Sequence, residues 1–273
     1  MNSAVIDPAT TVEGFSTYNK HYDQSFIAGS TPSYAAAGNW FLYSVAPTLA
    51  VTPASRSITY GDATPTVFSP SFTGFIDGDT AGTAGLSGTA TWSVVGPVSS
   101  SGNRVAGTHD VSLTGGLASS LGYRFADNAT SIDELTVSTK LLTAAYAASP
   151  KTYDATTTAT VTGSSPDLLT GDTVTFSQNA AYRDKNAGTA KPIDVTAIAL
   201  GGTDAGNYAL QNTTATATSD ITARALTATY TATAKTYDAT PAATVSGSSG
   251  SARATRRRCC RGRTRVPGRR GPA

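Results

Sequence analysis

The sequence predicts an all-β chain of tandem β-sandwich repeats, and three observations predict it. β-Branched Thr and Val together with twelve Tyr suit pleated, half-buried surfaces. No apolar stripe at helical period runs for a useful length. Finally, one hexapeptide organises the chain: Lys151-Thr152-Tyr153-Asp154-Ala155-Thr156 returns as Lys235-Thr236-Tyr237-Asp238-Ala239-Thr240, 84 positions later (235 − 151). Between 143–165 and 227–249, 16 of 23 positions are identical at that offset, which marks an array of similar units in series.

Residues 1–46 carry aromatic and polar residues without a clear period, enough for one or two strands. A piece this short holds no core of its own and reads as the C-terminal remnant of a preceding region. A first unit is predicted over 47–139. Pro47 and Pro53 flank a strand at 49–52, 57–60 alternates, and further strands are expected at 90–95, 109–113, 123–125 and 134–137. Turn clusters such as Asp77-Gly78-Asp79 separate them, and short strands with this punctuation form a sandwich. A second unit is predicted over 140–223, with strands at 141–146, 159–162, 173–177, 192–200, 208–211 and 215–222. Landmarks tie the two units together. Tyr60 stands 18 residues before Gly78 and Tyr153 stands 18 before Gly171, and Asp79 and Asp172 follow those glycines. Gly206-Asn207-Tyr208 answers Leu121-Gly122-Tyr123. A third copy starts at 224 and stops matching at 250; 26 residues cannot close a sandwich, so this segment is expected to be disordered or a loose hairpin leaning on the second unit. Two or three extended residues, Thr222-Ala223-Arg224, join one unit to the next, which leaves little hinge freedom.

The charge changes sign at the end. Residues 251–273 hold nine of the twenty basic residues and none of the eighteen acidic ones, so 1–250 carry eleven basic and eighteen acidic residues, a balance of −7. Cys259 and Cys260 also lie there, which leaves 1–250 without a disulfide or a Cys-based metal site. Nine arginines without an aromatic partner are a poor reader of bases, and no specific nucleic-acid partner is expected. Arg, Gly, Pro, Ala and Cys are what GC-rich coding DNA yields in a shifted frame; a solvated disordered tail and a polyanion-binding arm are the alternatives.

The Lys-x-Tyr-Asp-x-Thr opening, the Gly-Asp turn and Gly206-Asn207-Tyr208 resemble the YDG and MBG repeats of bacterial surface proteins. The unit with Ile58-Thr59-Tyr60-Gly61-Asp62 looks like the MBG variety, and the unit with Lys151 to Thr156 like the YDG variety. Phe15-Ser16-Thr17-Tyr18-Asn19 and Gly38 to Ser44 are similar to the segment before such repeats. The resemblance covers residues from about 15 to 250 and implies immunoglobulin-like sandwiches, the third truncated, within a filamentous-haemagglutinin-type adhesin. It further implies export by two-partner secretion, with an outer-membrane transporter as partner and the cell surface or exterior as destination; the chain itself opens without a signal peptide. The family usually has glycine where Ala155 and Ala239 stand. A left-handed Ala is costly, so the turn is expected to do without positive φ.

The residues that mark the repeat are expected to work structurally. Tyr153 lays its ring on the core with its hydroxyl on a backbone partner, Asp154 accepts from the amide of Thr156, and Tyr237 and Asp238 repeat the pair. Gly61-Asp62, Gly78-Asp79 and Gly171-Asp172 read as turns. Asp77 and Asp79 supply at most half of a calcium site. His21 and His109 belong to no nucleophile or metal pattern, and His109 is expected at the surface. No phosphate loop opens a helix, and Asn128-Ala129-Thr130 and Asn212-Thr213-Thr214 fit the glycosylation triplet by coincidence. The chain is thus expected to be non-catalytic, without cofactor or metal: spacer repeats of a longer adhesin. The alternatives are a glycan- or protein-binding module, which exposed Trp40, Phe41 and Trp92 would favour, and an accessory domain of a secreted hydrolase.

Overall fold

A computed structural model describes residues 19–24, 40–128 and 133–249. The basic end at 251–273, the stretch 25–39 and the Asn128 triplet's second and third residues lie outside the described residues, as do the side chains of Trp40 and Phe41. The described chain is β throughout, apart from one 3₁₀ turn at Ala205–Asn207.

Two short strands, β1 (Asn19–His21) and β2 (Trp40–Leu42), pair in parallel ahead of the first unit. That unit comprises β3 (Thr48–Pro53), β4 (Arg56–Thr59), β5 (Pro70–Thr73), β6 (Leu86–Val94), β7 (Gly107–His109), β8 (Val111–Ser119), β9 (Arg124–Asp127) and β10 (Leu135–Ser138). Alternation decides which side each strand buries: Leu49, Val51 and Pro53 of β3 point inward while their neighbours are more exposed. Strand β3 lies between β5, antiparallel, and β9, parallel; β10 lies between β4, parallel, and β7, antiparallel. The long hairpin β6–β8 completes the unit.

The second unit repeats this wiring with β11 (Lys140–Leu142), β12 (Ala145–Ala148), β13 (Lys151–Thr152), β14 (Val161–Ser164), β15 (Thr175–Tyr182), β16 (Gly188–Gly201), β17 (Tyr208–Leu210) and β18 (Ala215–Thr222). What β3 does alone, β11 and β12 share: β11 pairs in parallel with β17, and β12 antiparallel with β14. The break between them is clamped by Asn212, which accepts from Ala144 N at 2.8 Å and donates to Ala144 O at 3.0 Å. Strand β13 pairs in parallel with the final strand β18, as β4 does with β10. Tyr60 N then donates to Ser138 O and Tyr153 N to Thr222 O, each at 2.8 Å, so the two tyrosines occupy the same place in the two units.

The third copy forms the hairpin β19 (Ala228–Ala232) and β20 (Val245–Ser249). Its register is that of β12–β14 moved by 84: Tyr146 faces Gly163, and Tyr230 faces Gly247. The expected lean on the second unit is not found. Every described residue from 223 to 249 is exposed, because two strands have no second layer to cover them.

Apolar packing does not respect the unit boundaries. One core joins Tyr60, Phe68, Val111, Leu135 and Val137 of the first unit to Leu142 and Tyr208 of the second, with Leu168, Leu169 and Val174 against it. Another joins Tyr22 and Tyr43 to Leu49, Ala84 and Tyr123. The core of Ala144, Tyr182, Ile193, Val195, Ile198 and Ile221 lies wholly inside the second unit. The segment before the first unit, expected as a leftover, therefore helps to close that unit's end.

Candidate functional site

The repeated hexapeptide is a turn tied by one ammonium. Lys151 Nζ lies 2.9 Å from Asp154 Oδ1, 2.9 Å from Thr156 O and 2.9 Å from Thr158 O. Thr156 N and Thr156 Oγ1 both donate to Asp154 Oδ1 at 2.9 Å. The Thr156 amide, then Lys151 and the Thr156 hydroxyl, hold the Asp154 carboxyl down at about 2. Lys235, Asp238 and Thr240 build the same cradle in the third copy. The expectation that the turn avoids positive φ is overturned: Ala155 has φ +67° and Ala239 has φ +53°. Two flanking donors on one carboxylate determine the chain on both sides of the alanine, and the left-handed strain is held in place by them.

Tyr153 lays its ring on the second unit's core as expected, but among the described residues its hydroxyl has no backbone partner. The tyrosine at the same place in the first unit, Tyr60, has a partner the sequence does not announce. Asp172 of the second unit's Gly-Asp turn accepts from two phenols at once, Tyr60 Oη and Tyr208 Oη, each 2.6 Å from its Oδ2. The rings of Tyr60 and Tyr208 meet edge to face with centroids 5.4 Å apart. Tyr60 Oη also lies 2.6 Å from Ser99 Oγ. The single phenol proton goes to the carboxylate, the stronger acceptor, so the serine hydroxyl donates to the phenol. Leu169 N donates to Tyr208 Oη at 3.0 Å. Burial raises the pKa of Tyr60 and of Tyr208, and donation to Asp172 raises both further. Burial alone would raise Asp172 too, but hydrogen bonds from Ser101, Tyr208 and Tyr60 outweigh it and pull the carboxyl below its ordinary value.

A loop of the first unit is clasped by the second around this centre. Ser101 N donates to Asp172 Oδ1 at 3.2 Å, Ser100 N to Asp204 Oδ1 at 3.2 Å, and Ala106 N to Asn207 Oδ1 at 2.8 Å. Asp204 and Asn207 are buried, and the amide of Thr173 keeps Asp204 below its ordinary pKa. Gly61 is favoured here by its backbone, with the Leu169 side chain close by. Its φ is +95°, and a Cβ would sit 2.8 Å from Leu169 Cδ1 of the second unit. Asp62 closes the turn locally, its Oδ2 accepting from Thr59 N at 2.9 Å.

The same centre occurs one unit earlier. Asp79 Oδ2 accepts from Tyr123 Oη at 2.7 Å and from Tyr22 Oη at 3.3 Å, and the Tyr22 and Tyr123 rings meet edge to face at 5.1 Å. Ile76 N donates to Tyr123 Oη at 3.1 Å, as Leu169 N does to Tyr208. Burial first, then Asp79 (by its charge at Tyr22, by its hydrogen bond at Tyr123), push both phenols well above their ordinary value. Gly122 makes room, since a Cβ there would lie 2.5 Å from Tyr22 O. Tyr22 is not marked by the sequence although Tyr22-Asp23 repeats the Tyr153-Asp154 pair; its turn is that of Tyr60, with positive φ on the residue that follows the tyrosine, Asp23 as at Gly61.

Lys20 Nζ lies 2.9 Å from Asp77 Oδ2 and 2.8 Å from Asp79 Oδ1, so an ammonium stands between the two carboxylates that could supply half of a calcium site. Among the described residues no group of three or more His, Cys, Asp or Glu is placed to hold a metal ion. His109, expected at the surface, is buried: Nε2 lies 2.8 Å from Val105 O, and a Cβ on Gly96 would strike the ring. Trp92 is half-buried against Phe68, with its indole N–H donating to Phe68 O at 3.0 Å.

These features define a module of tandem sandwiches locked by Tyr–Asp–Tyr centres. Residues 49–131 match the MBG domain family (YGX type), and residues 133–217 match the YDG domain family. Neither is a catalytic family. The YDG match begins ahead of β10, the strand that pairs with β4 of the first unit, where the two units interlock. No curated protein and no solved structure matches the chain.

Proposed function

We propose that the chain is a spacer segment of a longer bacterial adhesin, exported through an outer-membrane transporter and displayed at or beyond the cell surface. Its units divide at 139/140 and 223/224, it performs no chemistry of its own, and it holds a binding region elsewhere in the parent chain away from the cell. One observation carries this reading: the apolar core and the Tyr60–Asp172–Tyr208 centre run across the boundary, so no slack exists there to be pulled out. A spacer must pass force between units, and a joint of buried side chains does this where a Gly/Ser linker would not. The glycan-binding alternative has less to stand on, because Trp92 spends its ring and its N–H inside the fold. Small-angle scattering tests the reading. The full chain is expected to give an elongated particle whose length does not depend on salt; a broad, flexible distribution of lengths would refute the spacer role. Antibody raised against the chain should label intact cells of the source bacterium.

A further inference from the structure

We infer that the end of the second unit at Tyr153 is a docking face for the Gly-Asp turn of one further Tyr-Asp unit joined at residue 224, whose aspartate would accept the Tyr153 hydroxyl. This deepens the spacer reading and rests on it. Two of the three unit ends in the chain show what such a face looks like when it is covered. Tyr22 and Tyr60 are each 1% exposed and each donate to the aspartate of the following Gly-Asp turn. Tyr153 shares the backbone position of Tyr60 but is only half-buried, and among the described residues its hydroxyl meets no hydrogen-bond partner. The residue that would seal the rim tells the same story. Leu142 opens the second unit and is 0% exposed in the core it shares with the first. Leu226 stands at the corresponding place, 84 positions on, and is 63% exposed.

The chemistry of the occupant follows from the covered ends. It presents a carboxylate at a turn, a bulky aliphatic residue three positions earlier (Ile76 and Leu169 in the known cases) and a second tyrosine that shares the carboxylate. The first junction shows that the aliphatic residue, Ile76, packs without a glycine after the tyrosine. This matters because Asp154 follows Tyr153 and the positive φ of that turn falls one residue later, on Ala155. A second unit of the 140–223 type carries all three features as Leu169, Asp172 and Tyr208.

The test inserts a second copy of residues 140–223 after Ala223 of the full 273-residue chain, which keeps the 84-residue period. Hydrogen exchange at the Tyr153 amide is read with and without Tyr153→Phe. In the 273-residue chain the substitution is expected to change nothing; in the extended chain it should speed exchange about tenfold, the worth of one lost hydrogen bond. Asp172→Asn in the inserted copy alone should do the same, and the two together should do no more than either. Equal effects of Tyr153→Phe in both chains, or additive effects in the extended one, overturn the docking face. As a second handle, Leu142→Ala in the inserted copy should loosen the same amide; an inserted copy that folds with Tyr153 exchange unaltered also overturns it. Scattering separates the two ideas: a longer particle without coupling at Tyr153 leaves the spacer reading standing, whereas a particle that gains no length sinks that reading itself.

Discussion

One carboxylate shared by two phenols sets the chemistry of each junction. A hydrogen bond to a charged group contributes on the order of 1.5–3 kcal/mol, and a buried group left unpaired costs about as much. Tyr60→Phe removes one donor while Asp172 keeps Tyr208 and Ser101, so a loss of about 1–2 kcal/mol in denaturant unfolding is expected. Asp172→Asn weakens both phenol contacts and should cost more; the double variant should cost less than the sum, because the two residues share one interaction. An unchanged midpoint for Tyr60→Phe would remove the centre from the list of stabilising contacts. Titration follows from the same geometry. Asp172 is depressed, so its contribution is complete above the unfolded carboxylate value of about 3.9 and disappears as pH falls through the folded value. Tyr22, Tyr60, Tyr123 and Tyr208 are raised; their contribution is complete below about 10 and disappears as pH climbs through their folded values. Stability should therefore be flat across the neutral range and fall at both ends. The acid limb is shared with Asp154, Asp184 and Asp194. The alkaline limb belongs to the tyrosines together with Lys20, whose burial lowers its pKa but whose contacts with Asp79 and Asp77 outweigh that and raise it. Tyrosinate absorbance is expected to rise in two stages, the second coincident with unfolding; a single stage near the free phenol value would contradict the assignment.

At the level of single elements, the Lys151–Thr156 turn forces an alanine into a left-handed conformation, which costs about 1–2 kcal/mol for a residue with a Cβ. Ala155→Gly relieves that strain but gives the unfolded chain more freedom, so a net gain of about 0.5–1 kcal/mol is expected. A loss on thermal melting would mean that the alanine methyl packs usefully. Much of this level was legible in the sequence. The strand at 215–222 is found where alternation placed it, and the hairpin of the third copy keeps the register of the second because the same side chains recur at the same offset. Strand β5 was not legible, since Pro-Ser-Phe-Thr opens with a residue that reads as a breaker and is tolerated only at a sheet edge, where β5 lies. His109 is expected at the surface because the sequence places it at the start of a strand; it ends β7 instead, where alternation buries it. The Tyr–Asp–Tyr centre was half legible. Every member except Tyr22 stood out as a landmark, but the bond between Tyr60 and Asp172 spans 112 residues and no local pattern encodes it.

For the whole molecule, the consequence of a core that crosses the boundary is that neither unit should unfold as though the other were absent. Leu142 comes from the second unit yet is packed among Leu135, Val137 and Val111 of the first, so Leu142→Ala is expected to cost about 2–5 kcal/mol and to weaken both. Gly61→Ala acts at the same seam from the other side. It strains a backbone at φ +95° and presses on Leu169, while leaving the interior core around Ile193 and Ile221 untouched. The wild-type chain should therefore melt in one calorimetric transition over the two units, and Gly61→Ala should split it, the first unit melting earlier. If the two transitions are already separate in the wild type, the shared core carries little coupling free energy, and the joint bends as freely as a linker of the same length. A single transition that survives Leu142→Ala would place the coupling in the Asp172 and Asp204 clasp instead, because those bonds reach the loop at Ser99–Asn103 without passing through Leu142.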